Sequence, residues 1–266
     1  MNRIEERLRT LQKNKRKAFI IYMTAGLPDM EGMKELIRVH EKAGTDILEL
    51  GIPFSDPTAD GPVIQDASYR SIQKGTNVRK VFEAVEEVRK DCGIPIVFMM
   101  YYNTIMHYGI EAFVKKCAAV GVDGLIIPDL PLEEQFEIAE VMEQTEGAPL
   151  LIQLVAPVSA DRIPKIVKNA RGYIYCVSNM GVTGQAAEFH KNVKEYLMSV
   201  KQAADIPVMM GFGIRTAKDV EGLMDSIDGC IVGTHFMRLM EENSYDPEVA
   251  EGYITDFKKE LDREFH

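Results

Sequence analysis

Three carboxylates that lie close together in the sequence could carry acid/base chemistry. Glu49 interrupts the apolar segment 46–51, and Asp56 and Asp60 lie in the loop that follows it. Burying a carboxylate on a strand costs several kcal/mol of folding free energy unless a partner compensates for it. A carboxylate kept at such a position is therefore a candidate for a function. Burial also raises the pKa of a carboxyl group, which then donates and accepts protons near neutral pH. The spacing therefore predicts an acid/base site where a strand ends and its loop begins.

Glycine-rich turns later in the chain predict a phosphate site. Residues 178–185 are rich in glycine and hydroxyl groups, Gly211 and Gly213 lie in one turn, and Gly233 directly precedes Thr234. Turns without side chains let backbone NH groups approach an anion, and a helix that begins near Thr234 adds its positive end. Segment 178–185 is also expected to form a lid. These turns predict a phosphate ester as ligand and leave the reaction open.

Eight short apolar segments alternate with segments of helical period, and these elements must position the candidate residues. The predicted strands are 18–24, 46–50, 94–100, 124–127, 150–155, 172–177, 207–210 and 230–232. The predicted helices between them include 31–42, 78–90, 110–119, 131–143, 160–169 and 217–226. Strict alternation implies parallel strands joined by right-handed crossovers.

The number and order of these units favour a closed barrel. Eight strand–helix units in about 250 residues match the size of a (β/α)8 TIM barrel. We predict one α/β domain of this kind over residues 1–266, with additional helices near the N-terminus and at 62–72. A doubly wound open sheet is the alternative, but no GxGxxG motif follows the first strand. In a barrel, the acids and the glycine turns meet at the carboxyl ends of the strands.

The composition argues against several classes of protein. The chain has 266 residues, of which 46% are hydrophobic and 27% charged, as in folded globular proteins. A net charge of -10 argues against binding to nucleic acid or to anionic membranes. No apolar stretch approaches the roughly 18 residues of a membrane span. The four cysteines lack CxxC spacing, so reduced thiols and a cytoplasmic location are expected, and no metal or organic cofactor is predicted.

One long segment resembles a known family. Residues 48–65, LELGIPFSDPTADGPVIQ, are similar to the signature of the tryptophan synthase alpha chain family. The segments 24–26, 128–131, 181–184 and 211–214 fall in that family's order and spacing. The resemblance extends from residue 18 to residue 240, which is most of the chain.

The resemblance implies a lyase of tryptophan biosynthesis. Such an enzyme splits indole-3-glycerol phosphate into indole and glyceraldehyde 3-phosphate by retro-aldol cleavage. Glu49 would move protons at indole C3 and at the side-chain hydroxyl, Asp60 would stabilise positive charge on the ring nitrogen, and Thr183 would orient Asp60. The other residues implied around the substrate are Tyr22, Met100 and Tyr175, with Gly184, Gly211, Gly213, Gly233 and Thr234 at the phosphate.

The resemblance also implies a partner. The family's alpha chain works with a beta chain that uses pyridoxal phosphate to join indole to serine. We therefore expect an α2β2 heterotetramer, with loop 53–60 at the interface and weak activity of the isolated chain. The alternatives are a stand-alone indole-3-glycerol phosphate lyase, a phosphate-ester isomerase or epimerase, and a non-catalytic activator of a beta chain.

Some positions depart from the family pattern or have a simpler structural interpretation. The departures are Thr58, Gln153, Asn179, Arg215 and His235, which bear on substrate affinity and partner fit. Glu49 could instead be an ion-pair partner inside the barrel, Asp60 a turn cap before Gly61, and Tyr175 a core aromatic. Asp129 is expected to cap the helix that opens at Pro131.

Overall fold

A computed structural model describes residues 2–177, 186–211 and 213–263 of the chain. The predicted lid at 178–185, with Thr183, Gly184 and the departure Asn179, lies outside the described residues.

Within the described residues, nine strands form one parallel sheet. They are β1 (Ala18–Thr24), β2 (Ile47–Gly51), β3 (Ile96–Met99), β4 (Gly124–Ile126), β5 (Leu150–Leu151), β6 (Gln153–Val155), β7 (Ile174–Val177), β8 (Val208–Gly211) and β9 (Gly229–Val232). Their order is β5-β4-β3-β2-β1-β9-β8-β7-β6. Only Ile152 separates β5 from β6, so the two edges of the sheet come from one segment and the barrel is nearly closed. The predicted TIM barrel is confirmed.

Each of the eight predicted strands is found, and the fifth is divided. β5 pairs with β4 and β6 pairs with β7, so the segment changes its partner at Ile152. The amide of Ile152 still donates to the carbonyl of Leu125 at 2.9 Å. One predicted strand therefore appears as two because it supplies both edges of the sheet.

The helices surround this sheet. The α-helices of the described residues are α1 (Arg3–Lys13), α2 (Met30–Ala43), α3 (Pro62–Gln73), α4 (Val78–Val88), α5 (Tyr102–Tyr108), α6 (Ile110–Val120), α7 (Phe136–Gln144), α8 (Ile163–Val167), α9 (Ala186–Ala203), α10 (Thr234–Glu242) and α11 (Pro247–Arg263). The described residues also form three 3-10 helices, at Leu132–Glu134, Pro157–Arg162 and Ala217–Ser226. The predicted segments 131–143 and 160–169 each begin as a 3-10 turn before α7 and α8. The segment 217–226 is a 3-10 helix, and α5, α9 and α11 are additional to the predicted helices.

Helix α1 closes the amino-terminal end of the barrel. Its residues Ile4, Leu8 and Leu11 belong to the buried cluster that fills the barrel interior. Arg3 and Arg7 of the same helix hydrogen-bond to Asp123 and Asp46, the residues just before β4 and β2. The interior therefore opens at the carboxyl ends of the strands. No helix in the described part of the chain has the length and apolar character needed to cross a membrane.

Candidate active site

Glu49 is a fully buried carboxyl group on β2. Its Oε1 accepts a hydrogen bond of 2.9 Å from the Tyr173 hydroxyl, whereas its Oε2 is buried without a hydrogen-bond partner. Burial raises the pKa of Glu49 to about 8, against the smaller opposing effect of the Tyr173 hydrogen bond. No described cation contributes to this pKa, which argues against the ion-pair interpretation. Glu49 is thus mostly protonated at pH 7, with one oxygen free to exchange a proton with a ligand.

Asp60 lies in the loop between β2 and α3 and is held by Tyr101, the residue that precedes α5. Its Oδ2 accepts a hydrogen bond of 3.1 Å from the Tyr101 hydroxyl, whose oxygen accepts one of 2.9 Å from the Ala59 amide. The Tyr101 ring stacks on Phe54 with ring centres 5.0 Å apart. Burial raises the pKa of Asp60 and the Tyr101 hydrogen bond opposes that rise. Gly61 caps α3 without any side-chain hydrogen bond, so Asp60 is not the cap of that helix.

Tyr22 and Tyr175 lie near both acids. Tyr22 of β1 pairs in register with Glu49, and Tyr175 of β7 packs against the interior cluster. Burial is the largest cause that raises the pKa of each phenol, and the negative charges of both Glu49 and Asp60 raise it further. Because the interaction between charges weakens with distance, both acids must lie close to both tyrosines. The fold brings these four side chains to one end of the barrel.

Two glycines make room for these tyrosine rings. A Cβ on Gly51 would lie 2.0 Å from the Tyr22 hydroxyl oxygen, and one on Gly211 would lie 2.6 Å from Cε1 of Tyr175. Any side chain at either position would displace the ring beside it. Gly211 thus has a packing reason for being glycine, while its predicted place at the phosphate stays a prediction.

Gly213, Gly233 and Thr234 follow the ends of β8 and β9. Gly213 has a φ of +52°, and its Cβ position has no atom within 4 Å. Gly233 is the N-cap of α10, which begins at Thr234 as predicted. The first amides of a helix have no acceptor within the helix, and the helix dipole favours an anion there. This corner of the barrel mouth is suited to a phosphate group.

The packing favours Met99 over the predicted Met100 as a lining residue. Met100 lies just past β3 in the buried layer between sheet and helices, whereas Met99 also contacts the interior cluster. Successive residues of a strand point to opposite faces of the sheet. The one-residue difference therefore moves the predicted methionine from the interior to the outer layer.

Three departures from the family pattern lie outside the barrel interior. The side-chain amides of Gln153 and Gln135 hydrogen-bond to each other at 2.9 and 3.2 Å on the outer side of β6. The His235 ring packs against the Tyr253 ring at 5.6 Å, and the Tyr253 hydroxyl donates to the Arg215 carbonyl at 2.8 Å. The side-chain amide of Gln153 is thus paired, and the contacts at His235 and Arg215 involve an aromatic ring and a backbone carbonyl.

Asp129 caps a different helix from the one predicted. Its carboxylate accepts a hydrogen bond of 2.9 Å from the amide of Tyr102, the first residue of α5. The 3-10 helix that follows Pro131 has no side-chain cap. The prediction was wrong because β3 and β4 are neighbours, so that the loop after β4 meets the helix after β3.

Tyr173 and Tyr101 hold the two acids, although no motif in the sequence marks them. Tyr173 precedes Tyr175 by two residues, and this spacing on a strand gives both side chains the same face. Tyr101 follows directly on the predicted strand 94–100, where side chains reach the barrel mouth. These two signals would have added both tyrosines to the candidates.

The described residues give no sign of a metal site, and one large groove lies away from the two acids. No group of three or more His, Cys, Asp or Glu side chains is placed to hold a metal ion among residues 2–177, 186–211 and 213–263. A groove of about 1440 Å³ runs along the outer wall of the barrel, past Phe136, Gln153 and Ile166. Neither Glu49 nor Asp60 lines it.

The chain is similar over almost its whole length to proteins of one kind. The family model described as tryptophan synthase alpha chain matches residues 8–265. A tryptophan synthase alpha chain of Lachnospira eligens is 59% identical over 262 residues, which cover 98% of this chain and 99% of the relative. One of Alkaliphilus metalliredigens is 44% identical over 247 residues, 92% of each chain. A crystal structure of tryptophan synthase subunit alpha from Legionella pneumophila matches with a TM-score of 0.90 at 33% identity and covers 99% of both chains.

Proposed function

The chain belongs to the tryptophan synthase alpha chain family, and on that basis we propose that Glu49 and Asp60 are its two catalytic carboxylates. As a member, it is a lyase that catalyses the cleavage of indole-3-glycerol phosphate in tryptophan biosynthesis. Membership decides against the isomerase or epimerase alternative. The observation that carries the proposal is the buried Glu49, with one oxygen bound to Tyr173 and the other free.

Glu49 acts as acid and then as base. With a pKa raised to about 8, it starts protonated and donates its proton to indole C3. The resulting carboxylate removes the proton of the hydroxyl on the adjacent side-chain carbon. The electrons of that O–H bond form the aldehyde carbonyl, and the electrons of the broken carbon–carbon bond restore the aromatic ring. Indole and glyceraldehyde 3-phosphate leave, and Glu49 is protonated again.

Asp60 stabilises the intermediate between these two proton transfers. Protonation at C3 leaves a positive charge on the ring nitrogen, which a nearby carboxylate favours. The Tyr101 hydroxyl donates to Asp60 and thereby favours its charged form. Tyr22, Tyr175 and Met99 line the space for the indole ring in this proposal.

The phosphate of the substrate binds at the ends of β8 and β9. The amides near Gly213, Gly233 and Thr234 supply the donors, with the positive end of α10 behind them. Thr183 and Gly184 belong to the proposal from the family resemblance, and both lie outside the described residues.

Turnover of indole-3-glycerol phosphate by matched variants tests the catalytic roles. We expect Glu49→Gln and Asp60→Asn each to lower kcat by about two orders of magnitude or more, because each removes a proton-transfer or charge-stabilising group and keeps the shape. Glu83→Gln, on the exposed face of α4, is the control and should keep full activity. Retention of more than a tenth of the activity by Glu49→Gln would refute its role.

The assembly and the extent of the domain are further parts of the proposal. We propose an α2β2 heterotetramer with a tryptophan synthase beta chain, because the chain is an alpha subunit by family. A stand-alone lyase would release indole equally well without a beta chain, and a non-catalytic activator would cleave nothing. One domain over residues 1–266 is supported by the single sheet that contains all described strands. The cytoplasmic location stays a prediction.

A further inference from the structure

The position of β1 in the sheet defines a path for the substrate's side chain. β1 pairs on one side with β2, which carries Glu49, and on the other with β9, which leads to Gly233 and Thr234. In the proposed function the reacting carbon lies at Glu49 and the phosphate at Gly233 and Thr234. The glycerol chain that joins them must therefore cross the carboxyl end of β1.

Tyr22 occupies this crossing point. A Cβ on Gly233 would lie 3.6 Å from the Cβ of Tyr22, and a Cβ on Gly51 would lie 2.0 Å from the Tyr22 hydroxyl oxygen. The side chain thus runs from the strand that leads to the phosphate turn to the strand that carries Glu49. Its hydroxyl ends one side-chain level above Glu49, because Glu49 and Gly51 lie on the same face of β2.

The Tyr22 hydroxyl is held in place and keeps capacity for a ligand. It lies 3.3 Å from Oγ1 of Thr24, which is completely buried. A phenol can donate one hydrogen bond and accept others, so one contact with Thr24 leaves at least one direction open. Burial raises the pKa of this phenol and the nearby charges of Asp60 and Glu49 raise it further, so the hydroxyl is neutral and suits an uncharged hydroxyl ligand.

We propose that the Tyr22 hydroxyl, fixed by Thr24, binds a hydroxyl group of the substrate's glycerol chain. This contact selects a hydroxylated side chain over an unsubstituted one of the same length. The inference rests on the proposed function, since that function sets the two ends of the path. It adds a specificity-determining contact to a residue otherwise expected only to line the indole pocket.

Two ligands that differ only in the side-chain hydroxyls test the contact. Indole-3-glycerol phosphate has both hydroxyls, and indole-3-propanol phosphate lacks them. Tyr22→Phe removes the phenol oxygen and keeps the ring over Gly51. We expect kcat/KM for indole-3-glycerol phosphate to fall about tenfold, the effect of one lost hydrogen bond in a buried site. The inhibition constant of indole-3-propanol phosphate should change less than about twofold, because that ligand has no group to lose the bond.

Two further variants separate this role from a packing role. Thr24→Val removes the partner of the Tyr22 hydroxyl and should cause a smaller loss in the same direction. Tyr69→Phe, which changes an exposed tyrosine on α3, should leave both constants unchanged. Thermal unfolding of each variant shows whether its fold is intact.

The results distinguish a failure of the Tyr22 contact from a failure of the proposed function. An equal change for both ligands, or no change for either in a folded Tyr22→Phe variant, would overturn the inference and leave the proposed function standing. Failure of the unmodified chain to cleave indole-3-glycerol phosphate would overturn the proposed function, and the inference with it.

Discussion

The raised pKa of Glu49 makes the folded barrel less stable at neutral pH. In the proposed function the same raised pKa suits Glu49 to proton transfer. Its pKa is raised to about 8 in the folded chain, from an ordinary value of 4.5. The unfolded chain therefore releases this proton at a lower pH than the folded chain does. Stability falls as the pH rises from about 4.5 towards about 8, since the unfolded state alone gains from ionisation in that range.

Glu49→Gln is therefore expected to stabilise the protein at neutral pH. Glutamine has the shape of the protonated acid and cannot ionise. The gain in free energy of unfolding should approach about 3 kcal/mol at pH 7 and shrink to less than about 1 kcal/mol at pH 5. Urea unfolding of both proteins at the two pH values measures it. A gain that is the same at pH 5 and pH 7 would show that Glu49 is not held protonated.

His40 should make the protein sensitive to acid. It is completely buried on α2, its Nδ1 lies 3.0 Å from Oγ1 of Thr45, and its Nε2 has no hydrogen-bond partner. Burial lowers the pKa of His40 to about 3. Below pH 6.5 His40 becomes protonated in the unfolded chain but stays neutral in the folded chain. Stability therefore falls as the pH drops from about 6.5 towards about 3.

The variant His40→Asn isolates this effect. Between pH 7 and pH 5 the unmodified protein should lose about 2 kcal/mol more of its free energy of unfolding than the variant does. The comparison of slopes removes the constant cost of the substitution itself. Parallel pH dependences in urea unfolding would show that His40 is protonated in the fold.

The sequence points to the two candidate acids themselves and not to their hydrogen-bond partners. Glu49 and Asp60 could be proposed as candidates because an acid in an apolar segment and the loop beside it are local features. The tyrosines that hold them could not be assigned in the same way, since Tyr173 lies 124 residues from Glu49 and Tyr101 lies 41 residues from Asp60. Such pairs depend on which strands become neighbours in the closed sheet.

At the scale of elements, strands were easier to predict than helix types. A short apolar segment of three to seven residues between polar turns indicates a buried strand, and each predicted strand is found. The division of the fifth strand at Ile152 depends on pairing with β4 and β7, which no local pattern contains. Likewise, the helical spacing of apolar residues does not show whether a segment forms an α-helix or, as at Ala217–Ser226, a 3-10 helix.

Tyr22 of β1 packs over Gly51 of β2, which has no side chain. In Gly51→Ala the new Cβ would lie 2.0 Å from the Tyr22 hydroxyl oxygen and 2.4 Å from Cζ, so the ring must move. We expect a loss of about 1–3 kcal/mol of unfolding free energy, as for other overpacked cores, together with loss of activity. Adding Tyr22→Leu should restore part of the stability, because the smaller side chain makes room.

Thermal and urea unfolding of the single and double variants measures this coupling. Gly252→Ala on α11 is the matched control, since its Cβ position has no atom within 4 Å. That substitution should be neutral or slightly stabilising through helix propensity. Additive effects of Gly51→Ala and Tyr22→Leu would show that the two positions do not compete for space.

At the scale of the whole molecule, the barrel has one closed and one open end. Helix α1 fills the amino-terminal end, and the described candidates Glu49, Asp60, Tyr22 and Tyr175 lie towards the carboxyl ends of the strands. The loop that carries Asp60 forms part of this open end, and its residues Ser55, Asp56, Thr58 and Ala59 are exposed. Within the described residues, Asp60 thus belongs to a surface that a partner chain can cover.

A beta chain that covers this loop should therefore activate the alpha chain. Tyr101 links the Ala59 amide to the Asp60 carboxylate, so fixing the loop also fixes this carboxylate. Couplings between sites commonly reach 1–3 kcal/mol, and we expect a tryptophan synthase beta chain to raise kcat for indole-3-glycerol phosphate cleavage roughly 10- to 100-fold. Tyr101→Phe breaks the link and should reduce this activation more than the surface control Glu83→Gln does. Equal turnover with and without the beta chain, at concentrations where the two chains are shown to bind, would make the chain a stand-alone lyase and separate the position of Asp60 from partner binding.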